Sequence, residues 1–268
     1  MIVVAGTLLV DEVLTLAAPA HPGSAQRALG RVRTGGGQVW HTARAARRAG
    51  AHVVVVGRRG ADTDGVELAS ALAADGVDVR LSDLGVSRRA LVLDAPPHER
   101  AIVSIAPDLD ARPLGALALP PDASRLHLDG YALDDLAGDA VVTLARTAAA
   151  QGIPISLEPP SIAGMAARLA RLASLPPLSL LVGRPDELAA AAGVLASAPS
   201  VVVAHDGPRP VRWWQDDDVW EHPAPEPSTF GPTLGAGDRF TGGLLAALDA
   251  GRRPSACLAA GVAAAAAR

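Results

Sequence analysis

The sequence predicts an α/β fold of three layers, in which a mostly parallel sheet lies between helices on both faces. Short apolar runs alternate with segments of helical periodicity, an order typical of parallel strands joined by helical crossovers. Several of these runs are apolar throughout, as expected of strands that are buried on both faces. With 268 residues, of which 49% are hydrophobic and 19% charged, the chain is long enough for one large domain or two small ones.

The N-terminal region predicts one strand and one helix, separated by an irregular stretch. Ile2–Ala5 is an apolar run typical of a buried strand. Asp11 follows soon after, at or just beyond the end of the strand, where a solvated loop charge is the plain alternative. Residues 12–33 are rich in Ala, Pro and Gly, which predicts irregular structure. A helix is predicted over 38–49, with Gly50 as its C-terminal stop.

The next region predicts a strand, a capped turn and a hairpin. Val53–Val56 is entirely apolar and leads into a glycine-rich turn over 57–65. We expect Asp62 in this turn to cap the amides of the helix over 66–74. Two alternating segments then flank the turn 94–99, which predicts an antiparallel hairpin over 89–105.

The C-terminal half predicts strands that alternate with helices. The predicted strands are 125–128, 153–157, 179–182 and 201–204, and the predicted helices are 133–150, 161–174 and a short one from Pro185. Polar side chains stand at or near the ends of these and the first strand: Asp11, Asp129, Glu158, Arg184 and Asp206. Ligands of such sheets bind outside the carboxyl ends of the strands, so these ends predict a binding site.

A glycine-rich loop near the C-terminus predicts an anion site. Gly235, Ala236 and Gly237 let the backbone turn tightly and approach a ligand, and a helix follows at once. The free amides at the start of a helix favour an anion. Asp238 in the first turn would repel a bound phosphate, which makes sense if it accepts a proton from a nucleophile that attacks that phosphate. The alternative is an ordinary helix start, with Asp238 complementing the helix dipole.

Composition excludes several classes of function. The net charge of −4 gives no case for binding nucleic acid or an acidic membrane surface. No apolar run reaches the length of a membrane span, and Met1–Gly6 lacks the basic region of a signal peptide. The single Cys257 fits a reducing cytoplasm and excludes an internal disulfide framework. No Lys and no Asn occur, so all 24 basic residues are Arg.

Several motifs resemble those of the PfkB (ribokinase-like) carbohydrate kinases. The run Pro232-Thr233-Leu234-Gly235-Ala236-Gly237-Asp238 resembles the family's C-terminal motif, Asp-Thr-Thr-Gly-Ala-Gly-Asp. Gly36-Gly37-Gln38-Val39-Trp40-His41-Thr42-Ala43 is similar to the motif Gly-Gly-x-x-x-Asn-x-Ala, with His41 in place of Asn. Arg184-Pro185-Asp186-Glu187 stands where the family has Asn-x-x-Glu. Asp11 follows Gly6 at the spacing of the family's substrate-binding Asp.

The resemblance implies a single ribokinase-like domain over 1–268, with a small β lid formed by segments near 12–34 and 88–106. It implies an ATP-dependent kinase that phosphorylates a hydroxyl of a sugar or sugar-like molecule. The implied catalytic residues are Asp238, as the base, and Gly235, Ala236 and Gly237, as the anion hole. The implied substrate ligands are Asp11, Gly36, Gly37 and His41, and Arg100 of the hairpin is a candidate ligand for an anionic substrate. The implied nucleotide ligands are Arg184, Glu187, His205 and Gly207, with Glu187 also linked to magnesium.

The resemblance also bears on cofactors and partners. ATP and Mg²⁺ are implied, whereas Pro232 stands where the family's K⁺ site uses an Asp, which argues against K⁺ activation. A lid with exposed strand edges makes a homodimer through the lid possible. Three alternatives stay open: a non-catalytic binding or regulatory protein on the same fold, a nucleoside kinase, and a nicotinamide-binding enzyme. The last is disfavoured because Gly35–Gly37 does not give Gly-x-Gly-x-x-Gly in a first βα turn.

Overall fold

The computed structural model describes residues 1–83, 85–96, 99–105, 114–134, 137–224 and 234–267. The strands of the main sheet are β1 (Ile2–Thr7), β4 (Val53–Arg59), β5 (Asp78–Asp83), β8 (Arg125–Asp129), β9 (Ile155–Glu158), β10 (Leu180–Gly183), β11 (Val201–Asp206), β12 (Arg209–Gln215) and β13 (Asp218–His222). The second sheet contains β2 (Leu9–Thr15), β3 (Gly30–Gly36), β6 (Arg88–Ala95) and β7 (Glu99–Ile105).

Helices occur between the strands and after the last strand of the chain. They are α1 (Gln38–Arg48), α2 (Thr63–Ala74), α3 (Gly138–Ala150), α4 (Ile162–Met165), α5 (Leu169–Ala173), α6 (Pro185–Ala192), α7 (Ala236–Asp249) and α8 (Pro254–Ala266). Two 3₁₀ turns span Gly130–Leu133 and Ala166–Arg168. Among the described residues, none of the helices is long and apolar enough to cross a membrane.

The main sheet runs in the order β13-β12-β11-β10-β9-β8-β1-β4-β5. Its strands are parallel from β5 to β11, and only β12 and β13 are antiparallel at one edge. All the parallel strands therefore end at the same edge of the sheet, where the order of connections places a ligand site.

Both faces of the main sheet are covered. Alternate side chains of β1, such as Ile2 and Val4, pack in one core with α1, α2, α7 and α8. The intervening side chains, such as Val3 and Ala5, pack in a second core with α3, α5 and α6. This arrangement confirms the predicted three-layer α/β fold and explains why the strands are apolar throughout.

The second sheet is the lid, in the order β3-β2-β6-β7. The hairpin predicted over 89–105 is present as β6 and β7, an antiparallel pair. The prediction that residues 12–33 are irregular is wrong at both ends of that stretch, because β2 extends to Thr15 and β3 begins at Gly30. Asp11 lies within β2 rather than at the end of β1. These strands are not evident in the sequence because Asp11 and Glu12 interrupt the apolar residues of β2, and β3 is rich in Gly and Arg and mostly exposed.

Ion pairs connect the lid to the body of the protein. Asp64 in the first turn of α2 pairs with Arg33 of β3 and with Arg89 of β6, the latter at 2.8 Å. On the other side, Asp134 pairs with Arg88 of the lid and Arg58 of β4, at 2.5 and 2.8 Å. These pairs position the lid over the carboxyl ends of the parallel strands.

Exposed apolar side chains lie at the edges of the lid. Val32 of β3 and Ile102 of β7 are 60% and 58% exposed, whereas Val13 and Val92 between them are buried. Exposed strand edges with apolar side chains favour pairing with another chain. The homodimer through the lid stays a prediction, which the molar mass from light scattering would test.

Two further details of the fold differ from the sequence predictions, and one agrees with them. The helix expected over 161–174 is divided into α4, a 3₁₀ turn and α5. Strand β5 was not predicted, because its alternation of Asp, Val, Arg and Leu is short and polar. The expected capping role of Asp62 is confirmed: its Oδ1 accepts the N–H of Gly65 at 3.0 Å, and its carboxylate also accepts bonds from Ser87.

Candidate active site

The first turn of α7 presents free amides. Gly235 caps this helix in the left-handed conformation, with φ of 70°, and its carbonyl accepts the N–H of Arg239 at 2.9 Å. The N–H groups of Ala236, Gly237 and Asp238 precede that bond and have no acceptor within the helix. No side chain of the described residues caps this end. The turn therefore has the geometry of an anion site.

Close packing against two neighbouring helices positions α7. A Cβ on Gly242 would overlap the backbone of α1 at Thr42, and one on Gly243 would lie 2.6 Å from the carbonyl oxygen of Ala260 in α8. The Thr42 hydroxyl donates to the backbone carbonyl of Asp238 at 3.1 Å. These contacts leave little freedom for the N-terminus of α7 to shift relative to α1.

Asp11 and His41 face this turn from the lid and from α1. The His41 Nε2 lies 3.7 Å from the Asp11 Oδ2. The His41 ring lies against Gly235, because a Cβ on Gly235 would be 2.5 Å from the Cγ of His41. The Asp11 carboxylate in turn lies against Gly36, in the space that a side chain at Gly36 would occupy. The imidazole ring of His41 therefore brings the motif that contains Gly36 into contact with the turn at Gly235, although the two are far apart in the sequence.

Two carboxyl groups lie side by side at the centre of the site. The Asp238 carboxyl is within hydrogen-bond reach of Glu158, which stands at the end of β9. Burial raises the pKa of Asp238, the charge of His41 opposes this shift, and the charge of Asp11 adds to it. Burial and the charge of Asp238 raise the pKa of Glu158 well above its ordinary value. Asp238 is therefore a stronger base than an exposed carboxylate.

Asp129 extends the acidic group at the end of β8. It is buried, and its Oδ1 accepts the N–H of Tyr131 at 2.8 Å. Burial, partly offset by that bond, raises the pKa of Asp129 to about 7. Gln38 of α1 connects the loops beyond β8 and β9, since it accepts from the N–H of Gly130 and donates to the carbonyl of Pro159.

The residues predicted to bind nucleotide lie beyond β10 and β11. Arg184 is exposed and its Nε donates to Asp186 at 3.3 Å, while its backbone N–H points to Glu187. Burial raises the pKa of Glu187 to about 7. The ring of His205 lies against Gly237, where a Cβ would be 2.7 Å from its Cε1. Gly207, with φ of 55°, forms the turn between β11 and β12.

His205 is neutral at physiological pH. Burial, with the charge of Arg184, lowers its pKa to about 4. Its ring also packs on Phe240, with centroids 5.3 Å apart. It therefore supports the first turn of α7 from behind as an uncharged group.

The other two predicted substrate ligands to be located are Gly37 and Arg100. Gly37, with φ of 87°, caps α1 directly beside the Asp11 strand. Arg100 pairs with Asp94 at 3.0 Å, opposite Thr15 on the lid. That position is four residues along the strands from Asp11, or about 13 Å. A substrate contact for Arg100 stays a prediction.

The sequence places Asp129 and Glu158 at strand ends without indicating a role for them, and no pattern in it points to Gln38 or Thr42. The available signal was a carboxylate directly after an apolar strand on two neighbouring strands. Their proximity to Asp238 depends on how α7 packs over the sheet, which the sequence pattern does not specify.

Comparison with known proteins identifies the family. The sequence profile of the pfkB family carbohydrate kinases matches residues 1–268. Comparison with curated protein sequences gave no significant match. Among solved structures, ribokinase from Cryptococcus neoformans var. grubii serotype A in complex with ADP has a TM-score of 0.79 at 21% identity, covering 98% of this chain and 91% of that one.

Two further structures have the same fold. Adenosine kinase from Sinorhizobium meliloti has a TM-score of 0.83 at 18% identity and covers 98% of this chain and 92% of its own. A nucleoside kinase from Burkholderia thailandensis in complex with inosine has a TM-score of 0.79 at 15% identity, with 99% and 90% covered. The profile match extends over the whole chain, so the protein belongs to the pfkB family of carbohydrate kinases.

Proposed function

We propose that the protein transfers the γ-phosphoryl group of ATP to a hydroxyl of a sugar or sugar-like molecule. The observation that carries this proposal is the meeting of Asp11, His41 and Asp238 around the uncapped first turn of α7. An acceptor grip, a base and an anion hole are the parts that phosphoryl transfer to an alcohol requires.

Each group has a defined part in the proposed reaction. Asp11 and the backbone at Gly36 hold the acceptor, and Asp238 accepts the proton of the attacking hydroxyl. The bond from the acceptor oxygen to phosphorus forms as the bond from phosphorus to the β-phosphate oxygen breaks. ADP leaves with that electron pair. The amides at residues 235–237 receive the negative charge of the phosphoryl group in flight.

The acidic residues fit a divalent cation. Asp129, Glu158 and Glu187 have raised pKa values because they are buried close to other carboxylates, and a cation would offset this repulsion. Among the described residues no three acidic or His side chains converge as direct ligands. Mg²⁺ keeps several waters and binds substrate phosphates, so it needs few direct protein ligands. Glu187 would hold it, and it would neutralise phosphate charge. Pro232, which replaces the Asp of the family's K⁺ site and so argues against K⁺ activation, lies outside the described residues.

Arg184 is proposed to contact the nucleotide phosphates. The charge of Arg184 lowers the pKa of His205, and the charge of Asp206 raises the pKa of Arg184. The side chain of Arg184 therefore lies at the edge of the site, next to β11. Arg184→Ala is expected to raise the KM for ATP about tenfold, since a hydrogen bond between charged groups contributes about 1.5 kcal/mol, and to change the KM for the acceptor little.

Steady-state kinetics with each substrate varied in turn measure this effect. Arg80→Ala is the matched control, because Arg80 is also exposed and also pairs with an Asp two residues away, at 2.6 Å. An unchanged KM for ATP in Arg184→Ala would show that Arg184 is a surface charge without a role in nucleotide binding.

Two alternatives remain for the acceptor and the activity. Structures of similar fold include ribokinase, adenosine kinase and a nucleoside kinase, so a nucleoside acceptor is the first alternative. The second alternative is a non-catalytic binder on the same fold, which is favoured by the replacements at His41, Arg184, Pro232 and Leu234. The presence of Asp238 argues against this second alternative. A carboxylate beside a bound phosphate weakens phosphate binding, which makes sense if the carboxylate serves as a base.

The proposal is tested with a panel of sugars, sugar acids and nucleosides. A thermal-shift screen identifies candidates that bind, and ADP release in the presence of Mg²⁺ and ATP identifies acceptors. ADP release that depends on a sugar supports the proposal, and release only with nucleosides selects the first alternative. Binding without ADP release across the panel supports the non-catalytic binder. We further propose a cytoplasmic location, with Cys257 as a free, buried thiol.

A further inference from the structure

We propose that His41 is a catalytic residue, whose imidazolium donates its Nε2–H to an oxygen of the phosphoryl group during transfer. The inference rests on the proposed kinase activity and extends it. A side chain of α1 would then supply the positive charge that stabilises the phosphoryl group during transfer. This role goes beyond binding the acceptor hydroxyl.

The position of His41 is the first argument. Its ring lies on the Cα side of Gly235, the residue that caps α7 and opens the anion hole. Its Nε2 points toward Asp11, at 3.7 Å, beyond hydrogen-bond distance. The ring is therefore between the acceptor grip and the anion hole, where the acceptor oxygen and the phosphoryl group meet in the proposed reaction.

The Nε2 of His41 has no hydrogen-bond partner in the part of the chain that the structure describes. The atom is buried, and no hydrogen-bond acceptor among the described residues satisfies it. The side chain of His41 is only 14% exposed. A buried donor without a partner is unfavourable, so such a group at a site points to a bound ligand. An acceptor atom of the substrate at this place would remove the penalty.

The third argument is the distribution of charge. The site holds Asp11, Asp238 and Glu158, and three phosphates of ATP would add further negative charge. The chain contains no Lys, and the guanidinium of Arg239 is turned away, bound to the carbonyls of Leu234 and Ala265. Of the charges acting on Asp238, that of His41 is the one that most favours its ionised form.

The electrostatic role of His41 follows from these contacts. A positive ring between Asp11 and Asp238 would be attracted by both carboxylates, and its charge would favour the ionised form of Asp238 that acts as the base. During the transfer the proton of the acceptor hydroxyl moves to Asp238, while His41 keeps its own proton and only donates a hydrogen bond. A charged donor in a water-poor site stabilises developing negative charge more strongly than a neutral one.

The variant His41→Asn separates this role from simple acceptor binding. Asn is the residue that the related motif carries at this position, and its amide can bind a hydroxyl but supplies no charge. If His41 acts on the phosphoryl group, His41→Asn lowers kcat by about 10²-fold, the typical loss for one donor to a developing oxyanion. The KM values for the acceptor and for ATP then change little.

Two measurements keep the inference separate from a structural effect. The affinity for ADP with magnesium and aluminium fluoride, which imitates the phosphoryl group in flight, is expected to fall in His41→Asn by a factor similar to that in kcat. The affinity for ADP alone is expected to stay the same. In His41→Ala, the space left above Gly235 admits free imidazole, and added imidazole is expected to restore part of kcat. His52→Asn, an exposed His in the turn before β4, is the control and is expected to behave as wild type.

The outcomes distinguish this inference from the proposed function. A wild-type protein that transfers phosphoryl to no acceptor of the panel overturns both. An active wild type, together with a His41→Asn variant of normal kcat and raised KM for the acceptor, overturns the inference alone and leaves His41 as a hydroxyl ligand. If His41→Asn does not fold, His41→Gln is measured in its place. The inference is also contradicted if His41→Asn loses kcat but keeps its affinity for the aluminium fluoride complex, and added imidazole does not restore the kcat of His41→Ala.

Discussion

Asp238→Asn is expected to lower kcat by about 10²–10⁴-fold, the usual contribution of a positioned general base. A sugar hydroxyl is a weak nucleophile at neutral pH, so the proton must leave as the oxygen attacks phosphorus. The raised pKa of Asp238, caused mainly by burial, makes it suited to accept that proton. Asn keeps the size of the side chain and removes the basic oxygen.

The fold of the variant is expected to survive. The Thr42 hydroxyl bonds to the backbone carbonyl of Asp238, not to its side chain, so the contact between α1 and α7 remains. Loss of a negative charge in the first turn of a helix costs about 0.3–1 kcal/mol, and removal of a charge beside Glu158 offsets part of that. Thermal denaturation and the dissociation constants for acceptor and ATP should therefore be close to those of wild type.

Asp139→Asn is the matched control for this experiment. Asp139 also stands in the first turn of a helix, α3, but is exposed and pairs with Arg171 away from the site. It is expected to keep full activity. If Asp238→Asn retains a kcat near that of wild type in a protein shown to be an active kinase, Asp238 only complements the helix dipole and the base lies elsewhere.

Gly235→Ala is expected to have the second largest effect, a fall in kcat of about 10²–10³-fold, as for loss of a donor to a developing oxyanion. Gly235 adopts φ of 70°, which costs a residue with a Cβ about 1–2 kcal/mol. The added Cβ would also lie 2.5 Å from the Cγ of His41. The turn or the imidazole ring must therefore shift, and the amides at 235–237 lose their alignment.

Gly251→Ala is the control that isolates the collision from the backbone strain. Gly251 follows the same helix at φ of 69°, but a Cβ there would meet nothing within 4 Å. Both variants should lose a similar part of their thermal stability from strain, and only Gly235→Ala should also lose kcat. Equal activities for the two variants would show that the contact between His41 and Gly235 is unimportant for the reaction.

Much of the fold was predictable because the local signals agree with the packing. Uninterrupted apolar runs such as Val53–Val56 predicted strands buried on both faces, and Gly50 predicted the end of a helix. The order of strands and helices then predicted which strand ends share an edge. The Gly-Ala-Gly-Asp turn was predictable as a helix start with free amides, since the glycines and the helical pattern that follows occur together.

Other features could not be predicted from the sequence because they depend on contacts between distant segments. The lid strands β2 and β3 have mixed polar sequences, and they are stabilised by pairing with each other and with β6. The proximity of Glu158 to Asp238 follows from the position of α7 over the sheet, which the close contacts at Gly242 and Gly243 determine. The stacking of His41 on Gly235 joins residues almost two hundred positions apart, and nothing in either motif specifies it.

We propose that Asp238 and the turn at 235–237 transfer a phosphoryl group to a hydroxyl. Mass spectrometry of the products of wild type and of Asp238→Asn, each incubated with Mg²⁺, ATP and an acceptor from the panel, tests this proposal. We expect wild type to form ADP and phosphorylated acceptor in equal amounts, and Asp238→Asn to form neither at a comparable rate. Formation of ADP with inorganic phosphate and unmodified acceptor, or bound ligands with no product at all, would contradict the claim.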